Sequence, residues 1–320
     1  MAYLIGTDEA GYAPNLGPLV ITCTVWRIAK TPPDLDLYRR LQAVVCPDGN
    51  GAAGGPLLVA DSKVVYSPAR GLRLLERGVL AMMGLVDDVP RDWRTAWQML
   101  DSEAAAHLDH LPWHREYDSA LPHAADRDDV LSAAGRLREG LAAAGVELVS
   151  VRSTAVFPEP FNDGADRWGN KAEALSQWTL ALVADALDGC QAEEVHVVCD
   201  KHGGRNRYGR LLQERFPEYL IEVHEESLAA STYRWGPDER RIEVRFCAGG
   251  ESFLPVALAS MVSKYLRELA MQAFNDFWCR QVPNLRPTAG YPGDAVRFKR
   301  EIAKVQKRMG IKDRVLWRSR

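Results

Sequence analysis

Two apolar runs, residues 2 to 7 and 18 to 27, stand on either side of a short Gly- and Pro-containing segment, and the second is rich in Val, Ile, Thr and Trp. Such runs read as a buried strand and its hairpin partner. Strand character returns at 147 to 157 (ELVSVRSTAVF), at 194 to 200 (EVHVVCD), and in LIEVHEES and RIEVRFCAGG further on. Between them the apolar spacing turns helical. Ser67-Pro68 opens one helix, with Leu72, Leu75, Val79 and Met82 or Met83 on its apolar face. Residues 171 to 188 form a second, closed by Gly189, and 253 to 278 a long third. A basic helix follows Pro292, and residues 47 to 56 (PDGNGAAGGP) are a loop by composition. A hairpin first, then strands alternating with helices, requires a mixed α/β sheet with helices on its faces.

The chain has 320 residues, 47% of them apolar, enough for a sizeable core. No apolar stretch reaches the roughly 18 residues a membrane helix needs. The N-terminal run lacks the zones of a signal peptide. The six cysteines are scattered without a CxxC pair and read as reduced thiols. These features predict a soluble, cytoplasmic protein without a membrane partner. The net charge of −3 hides an uneven distribution. Residues 87 to 147 carry 13 acids against 6 arginines, and residues 296 to 320 carry 10 basic residues against 2 acids. A basic tail beside an acidic segment is compatible with a polyanionic partner, and equally with solvated helix faces.

Three strand ends carry acids: Asp8-Glu9, Asp200, and Glu251 beyond Cys247. Chemistry in open α/β sheets gathers at strand ends. Hard divalent cations take oxygen ligands, one or two carboxylates per ion. Four convergent carboxylates would hold two ions about 4 Å apart, the arrangement that cleaves phosphodiesters in line. Acids at strand ends also serve simply as turn formers. Neighbouring strand residues point to opposite faces, so Asp8 and Glu9 share a site only if the strand bends or ends there, next to Gly11 and Pro14.

Five blocks resemble one family in order. DEAGYAPNLGPLV, 8 to 20, is similar to the opening motif of the ribonucleases HII and HIII. Asp61-Ser62-Lys63 resembles the family's DSK motif, and VVCD, 197 to 200, its strand ending in the third acid. GGESFLPVALASMVSKYLREL, 249 to 269, resembles its long helix, and AGYPGD, 289 to 294, its KGYGT turn. Residues 86 to 146 have no counterpart. The resemblance implies one RNase H-like domain with 86 to 146 as a mostly helical acidic insertion and 280 to 320 as a basic helical extension. It implies a ribonuclease H that cleaves the RNA strand of RNA–DNA hybrids with two Mg²⁺ or Mn²⁺ ions held by Asp8, Glu9, Asp200 and Glu251. Glu at the last position is more like type HIII, whose N-terminal substrate-binding domain is not expected here.

The resemblance also implies substrate contacts at Gly11, Tyr12, Ala13, Lys63, Lys264 and Tyr291. Relatives carry Gly-Arg-Gly or Gly-Lys-Gly where this chain has Gly11-Tyr12-Ala13. There the family's backbone meets the 2′-OH that distinguishes RNA from DNA. That departure leaves open a non-cleaving nucleic-acid-binding protein, or a nuclease for DNA or structured RNA. Lys201, Arg205, Arg207 and Arg210 sit in a Gly-rich loop of the kind that holds phosphate, and the basic C-terminal helix would be a second phosphate-tracking surface. His107, His110 and His114, spaced i, i+3, i+7 near Asp109, would form a zinc face if one helix carried them. The acidic insertion reads as an accessory subdomain away from the duplex and a candidate surface for a protein partner.

Overall fold

The computed structural model describes residues 1–28, 35–49, 51–52, 54–190, 194–237 and 240–319. Residues 50 and 53 of the loop expected at 47 to 56 lie outside them. In chain order the strands are β1 (Ala2–Ala10), β2 (Leu19–Ile28), β3 (Val45–Cys46), β4 (Leu57–Leu58), β5 (Val146–Val156), β6 (Glu194–Asp200), β7 (Glu222–Glu226), β8 (Ala230–Trp235) and β9 (Ile242–Cys247). The helices are α1 (Leu37–Arg40), α2 (Ser62–Val65), α3 (Arg73–Val86), α4 (Trp93–Leu100), α5 (Ser102–His107), α6 (Arg127–Ala144), α7 (Pro158–Trp168), α8 (Lys171–Asp188), α9 (Gly209–Arg215), α10 (Leu254–Gln281), α11 (Pro292–Arg308) and α12 (Asp313–Leu316). The fold is α/β, with a seven-stranded mixed sheet in the order β5-β2-β1-β6-β9-β8-β7.

The three central strands, β1, β6 and β9, run parallel, and the flanking pairings are antiparallel. Alternation along β1 splits the core. Tyr3 and Ile5 join one cluster with Val195, Val197 and residues of α8, while Leu4 joins the other with α3 and α10. Gly6 packs directly against the start of α10. A Cβ there would lie 2.2 Å from the Pro255 carbonyl carbon, so only glycine lets the helix seat.

The expected strand at 2 to 7 runs on to Ala10, because its ladder with β2 continues through Glu9↔Ile21 and Ala10↔Val20. The helix expected from Ser67 begins at Arg73. Ser67 Oγ instead accepts from Arg70 N at 3.2 Å and closes a turn. The stretch 86 to 146 is not an appendage. Trp93, Trp97, Leu121, Val130, Leu137 and Leu141 belong to the same cluster as Leu4 and Met261. Trp93 Nε1 donates to the Leu269 carbonyl at 3.0 Å. Fully buried Glu76 on α3 accepts from the backbone N–H groups of His123 (2.7 Å), Ala124 (2.6 Å) and Ala125 (2.8 Å) and from the Tyr265 hydroxyl (2.9 Å). Arg77 grips Asp129 with two bonds, 2.7 and 3.1 Å. These ties seat α6 on α3 as part of the body of the protein.

No helix among the described residues is long and apolar enough to cross a membrane. No disulfide forms among them.

Candidate active site

Three parallel strand ends meet at one edge. Thr7 pairs with Cys199 and Asp200 with Cys247, so the register brings Asp8 beside Asp200, and a short turn carries Glu251 back toward them. The ladder from β1 to β6 stops at Thr7 while the ladder to β2 continues. From Asp8 onward, that side of β1 is open. Glu9 lines the same cleft as Asp8.

The acids sense one another. Burial first, then the charge of Glu9, raises the Asp8 carboxyl well above its ordinary value, and Asp200 adds to the rise. Burial and then Asp200 push Glu9 up to about 7, with Glu251 adding and Lys63 opposing. Asp200 is raised by burial and by Glu251. Burial works against the charge of Lys63, but Asp61, Glu251, Asp8 and Asp200 together outweigh it and raise its pKa. Lys63 Nζ lies 4.0 Å from Glu251 Oε1 on a side chain that is 84% exposed. Its position is set by Asp61, whose carboxylate caps α2 by accepting from Lys63 N at 3.0 Å.

A cleft of about 410 Å³ opens over the strand ends. Asp8, Glu9, Gly11, Tyr12, Lys63, Asp200, Lys264 and Tyr291 of the expected set line it. Gly11 sits at φ +89°, and a Cβ there would lie 2.6 Å from the Pro18 carbonyl oxygen and 2.9 Å from Arg267. Tyr12 lies under Lys171, whose Nζ is 4.6 Å from the ring. Ala13 is exposed. Lys264 bonds Glu268 at 2.5 Å and stands 4.7 Å over the Tyr66 ring. Tyr291 is half exposed at the rim.

The Gly-rich loop differs from expectation. Lys201 donates to Asn206 Oδ1 (2.7 Å) and to the Ser227 carbonyl (2.6 Å). Arg205 and Arg210 both pair with Glu173 on α8. These cations hold the loop against the protein and do not line the cleft. Arg207, 89% exposed and 3.7 Å from Glu226, and Arg210, 67% exposed, still face water. The zinc face does not form either. His114 is buried among Trp93, Trp97 and Phe157, whereas His107 and His110 are exposed.

Sequence reading overlooked the groups that hold the site. Arg267, 2% exposed, donates to the carbonyls of Pro18 (2.5 Å), Leu16 (3.1 Å) and Ala289 (3.0 Å). Ser263 Oγ donates to the Asp8 carbonyl at 3.0 Å and lies 2.7 Å from Thr22 Oγ1. The available signal was the presence of Ser and Arg inside an otherwise apolar helix.

As the side chains stand, no group of three or more metal-ligating side chains among the described residues closes on one point. The acids meet as a cluster of charge. Four carboxylates facing one lysine at a solvent-open edge are nonetheless the oxygen-rich, under-neutralised donor set that suits hard divalent cations.

No family model matches the chain, and no curated protein matches it in sequence. Among solved structures it is similar to ribonuclease HII of Archaeoglobus fulgidus, determined in complex with PCNA, with TM-score 0.42 and 14% identity over 99% of this chain and 94% of that one. It is also similar to ribonuclease H2 of Pyrococcus horikoshii OT3, with TM-score 0.43 and 14% identity over 98% and 92% of the two chains. A third likeness is to Bst-RNase HIII in complex with Mn²⁺, with TM-score 0.41 and 13% identity over 99% of this chain and 66% of that one. At these identities the likeness assigns neither substrate nor acting residues.

Proposed function

We propose that the protein is a metal-dependent nuclease of the ribonuclease H type, a hydrolase that cleaves the RNA strand of RNA–DNA hybrids. The observation that supports this reading is that Asp8, Glu9 and Asp200 line one cleft at the strand ends, with Glu251 near enough for its charge to raise Glu9 and Asp200. These four would hold two divalent ions, Mg²⁺ or Mn²⁺. Such ions supply Lewis acidity and a nucleophilic water at neutral pH.

The chain's own residues orient and bind. Asp8 and Asp200 present their carboxylates from adjacent strands. Lys63, exposed beside Glu251, offers a cation to a scissile phosphate. Gly11 and Tyr12 line the cleft, and Tyr291, next to Gly290 whose carbonyl accepts from Asn15 N at 2.8 Å, offers a ring and a hydroxyl there. Beyond Tyr291, α11 carries Arg300, Lys304, Lys307 and Arg308, exposed and without an ion pair among the described residues. They suit a phosphate backbone.

A second reading keeps the fold and changes the substrate or drops the cleavage. It is favoured by Gly11-Tyr12-Ala13, because Tyr12 is engaged with Lys171 and supplies no fixed cation. Incubation with a labelled hybrid, with plain duplex DNA and with double-stranded RNA, each with Mg²⁺ or Mn²⁺, separates the readings. Cleavage of the hybrid alone supports the first, and tight binding without cleavage supports the second.

A further inference from the structure

Helix α10 is buried almost all round, so a polar side chain on it persists only where it finds a partner. Four of its polar residues, Ser260, Ser263, Arg267 and Asn275, form a stripe at spacings that keep one face of a helix. Every partner of the stripe belongs to a segment that carries the cleft or lies beneath it. Ser260 Oγ accepts from Ser62 N at 3.3 Å and donates to Ser62 Oγ at 3.1 Å, within reach of the Asp8 carboxyl. Ser263 bonds the Asp8 carbonyl and touches Thr22, which is 2.8 Å from Ser153. Arg267 takes three carbonyls, two from the loop that begins at Gly11 and one from the turn before Tyr291. Met271 fills the step between, against Gly17. Asn275 pairs both ways with Thr288, at 2.9 Å in each direction.

Packing alone does not require this distribution. Tyr265, on another face of the same helix, bonds Glu76 and serves the inserted helices. The stripe instead divides along its length. Its N-terminal half touches the acid-bearing strand and the Ser62–Lys63 turn. Its C-terminal half touches the two segments that bear Gly11, Tyr12 and Tyr291.

We infer that the α10 stripe is a positioning template with two separable halves: Ser260 and Ser263 set the acids for metal, and Arg267 and Asn275 set the two loops for nucleic acid. The inference rests on the proposed nuclease reading and assigns roles within it. Ser260 and Arg267 border the cleft, but both serve as orienting groups, not as reacting ones. Each acts through the groups it orients, as outer-shell partners of metal ligands do.

Two binding measurements test the division without turnover: Mn²⁺ titration by calorimetry, and hybrid affinity by fluorescence anisotropy in EDTA. Ser263→Ala is expected to weaken Mn²⁺ binding about tenfold and leave hybrid affinity unchanged. Asn275→Ala and Arg267→Lys are expected to weaken hybrid binding about tenfold and leave Mn²⁺ affinity unchanged. Thermal midpoints of all variants monitor folding, and Asn275→Ala carries the second arm if Arg267→Lys does not fold. If the unaltered protein binds both ligands but the variants lose both together, or lose neither, the template inference is overturned. If the unaltered protein binds neither ligand, the nuclease reading itself fails.

Discussion

Asp8 and Asp200 lie side by side on neighbouring parallel strands, each one residue beyond the Thr7–Cys199 pair. Strands in a sheet are about 4.8 Å apart, so two carboxylates at this point repel unless protonated or bridged. Both are raised, by burial first. A group whose folded pKa lies above its unfolded value stabilises the fold at low pH and loses that contribution as pH rises. For Glu9 the window runs from about 4.5 to about 7. Metal-free protein should lose stability across it, and Asp8→Asn should recover about 1–2 kcal/mol at pH 8. Urea midpoints at pH 5 and 8 measure this. Added Mg²⁺ should raise the midpoint of the unaltered protein more than that of the variant.

Histidines 114 and 202 act in the opposite sense. Burial pushes both down to about 3. Their stabilising contribution is present above the ordinary histidine value of 6.5 and is lost as pH falls below it. His114 sits in an aromatic cage of Trp93, Trp97 and Phe157. His114→Phe should therefore fold and show a shallower loss of stability between pH 6.5 and 4. An unchanged slope would contradict the assignment.

Gly11→Ala places a Cβ against the Pro18 carbonyl at a positive φ. We expect a cost of about 1–3 kcal/mol and weaker substrate binding. The same substitution at Gly293, where an added Cβ meets nothing within 4 Å, should be nearly silent. Thermal melts of the two variants give the comparison.

Glu76→Gln removes the charge that three backbone N–H groups and a tyrosine share. A loss of about 2–3 kcal/mol is expected in urea titration. Excision of 87 to 146 should prevent folding, because Trp93, Trp97 and Leu137 would leave the main core unfilled.

Much of this was legible in sequence because it is local. The strand 194 to 200 and the helix 171 to 188 occur where the periodicity places them, and the basic helix after Pro292 follows its proline. Helix α7 was missed because its two prolines and glycine look like a loop, although prolines at the first turn suit a helix start. Strand β8 was missed because six residues next to another short strand carry little pattern. What could not be read were pairings distant in the chain. Glu173 claims Arg205 and Arg210, and Arg267 reaches back some 250 residues to Leu16 and Pro18. A loop full of arginines therefore looked like a phosphate site although Arg205 and Arg210 are drawn to Glu173 and Lys201 to Asn206 and Ser227.

Charge reversal on α11, Lys304→Glu with Lys307→Glu, should weaken hybrid binding and reduce the slope of log affinity against log salt by about 2. An unchanged slope would remove α11 from the binding surface.

The proposed function makes the acid cluster a metal-dependent hydrolytic site for RNA in hybrids. The most direct measurement is cleavage of an end-labelled RNA–DNA hybrid by the unaltered protein, Asp8→Asn and Asp200→Asn, with Mg²⁺, with Mn²⁺ and in EDTA. The account predicts RNA-strand cleavage by the unaltered protein with metal only, and at least a hundredfold loss in both variants (on the order of the effect of removing a group that stabilises the transition state). Cleavage that persists at the unaltered rate in Asp8→Asn, or an intact hybrid under every divalent ion, would contradict it.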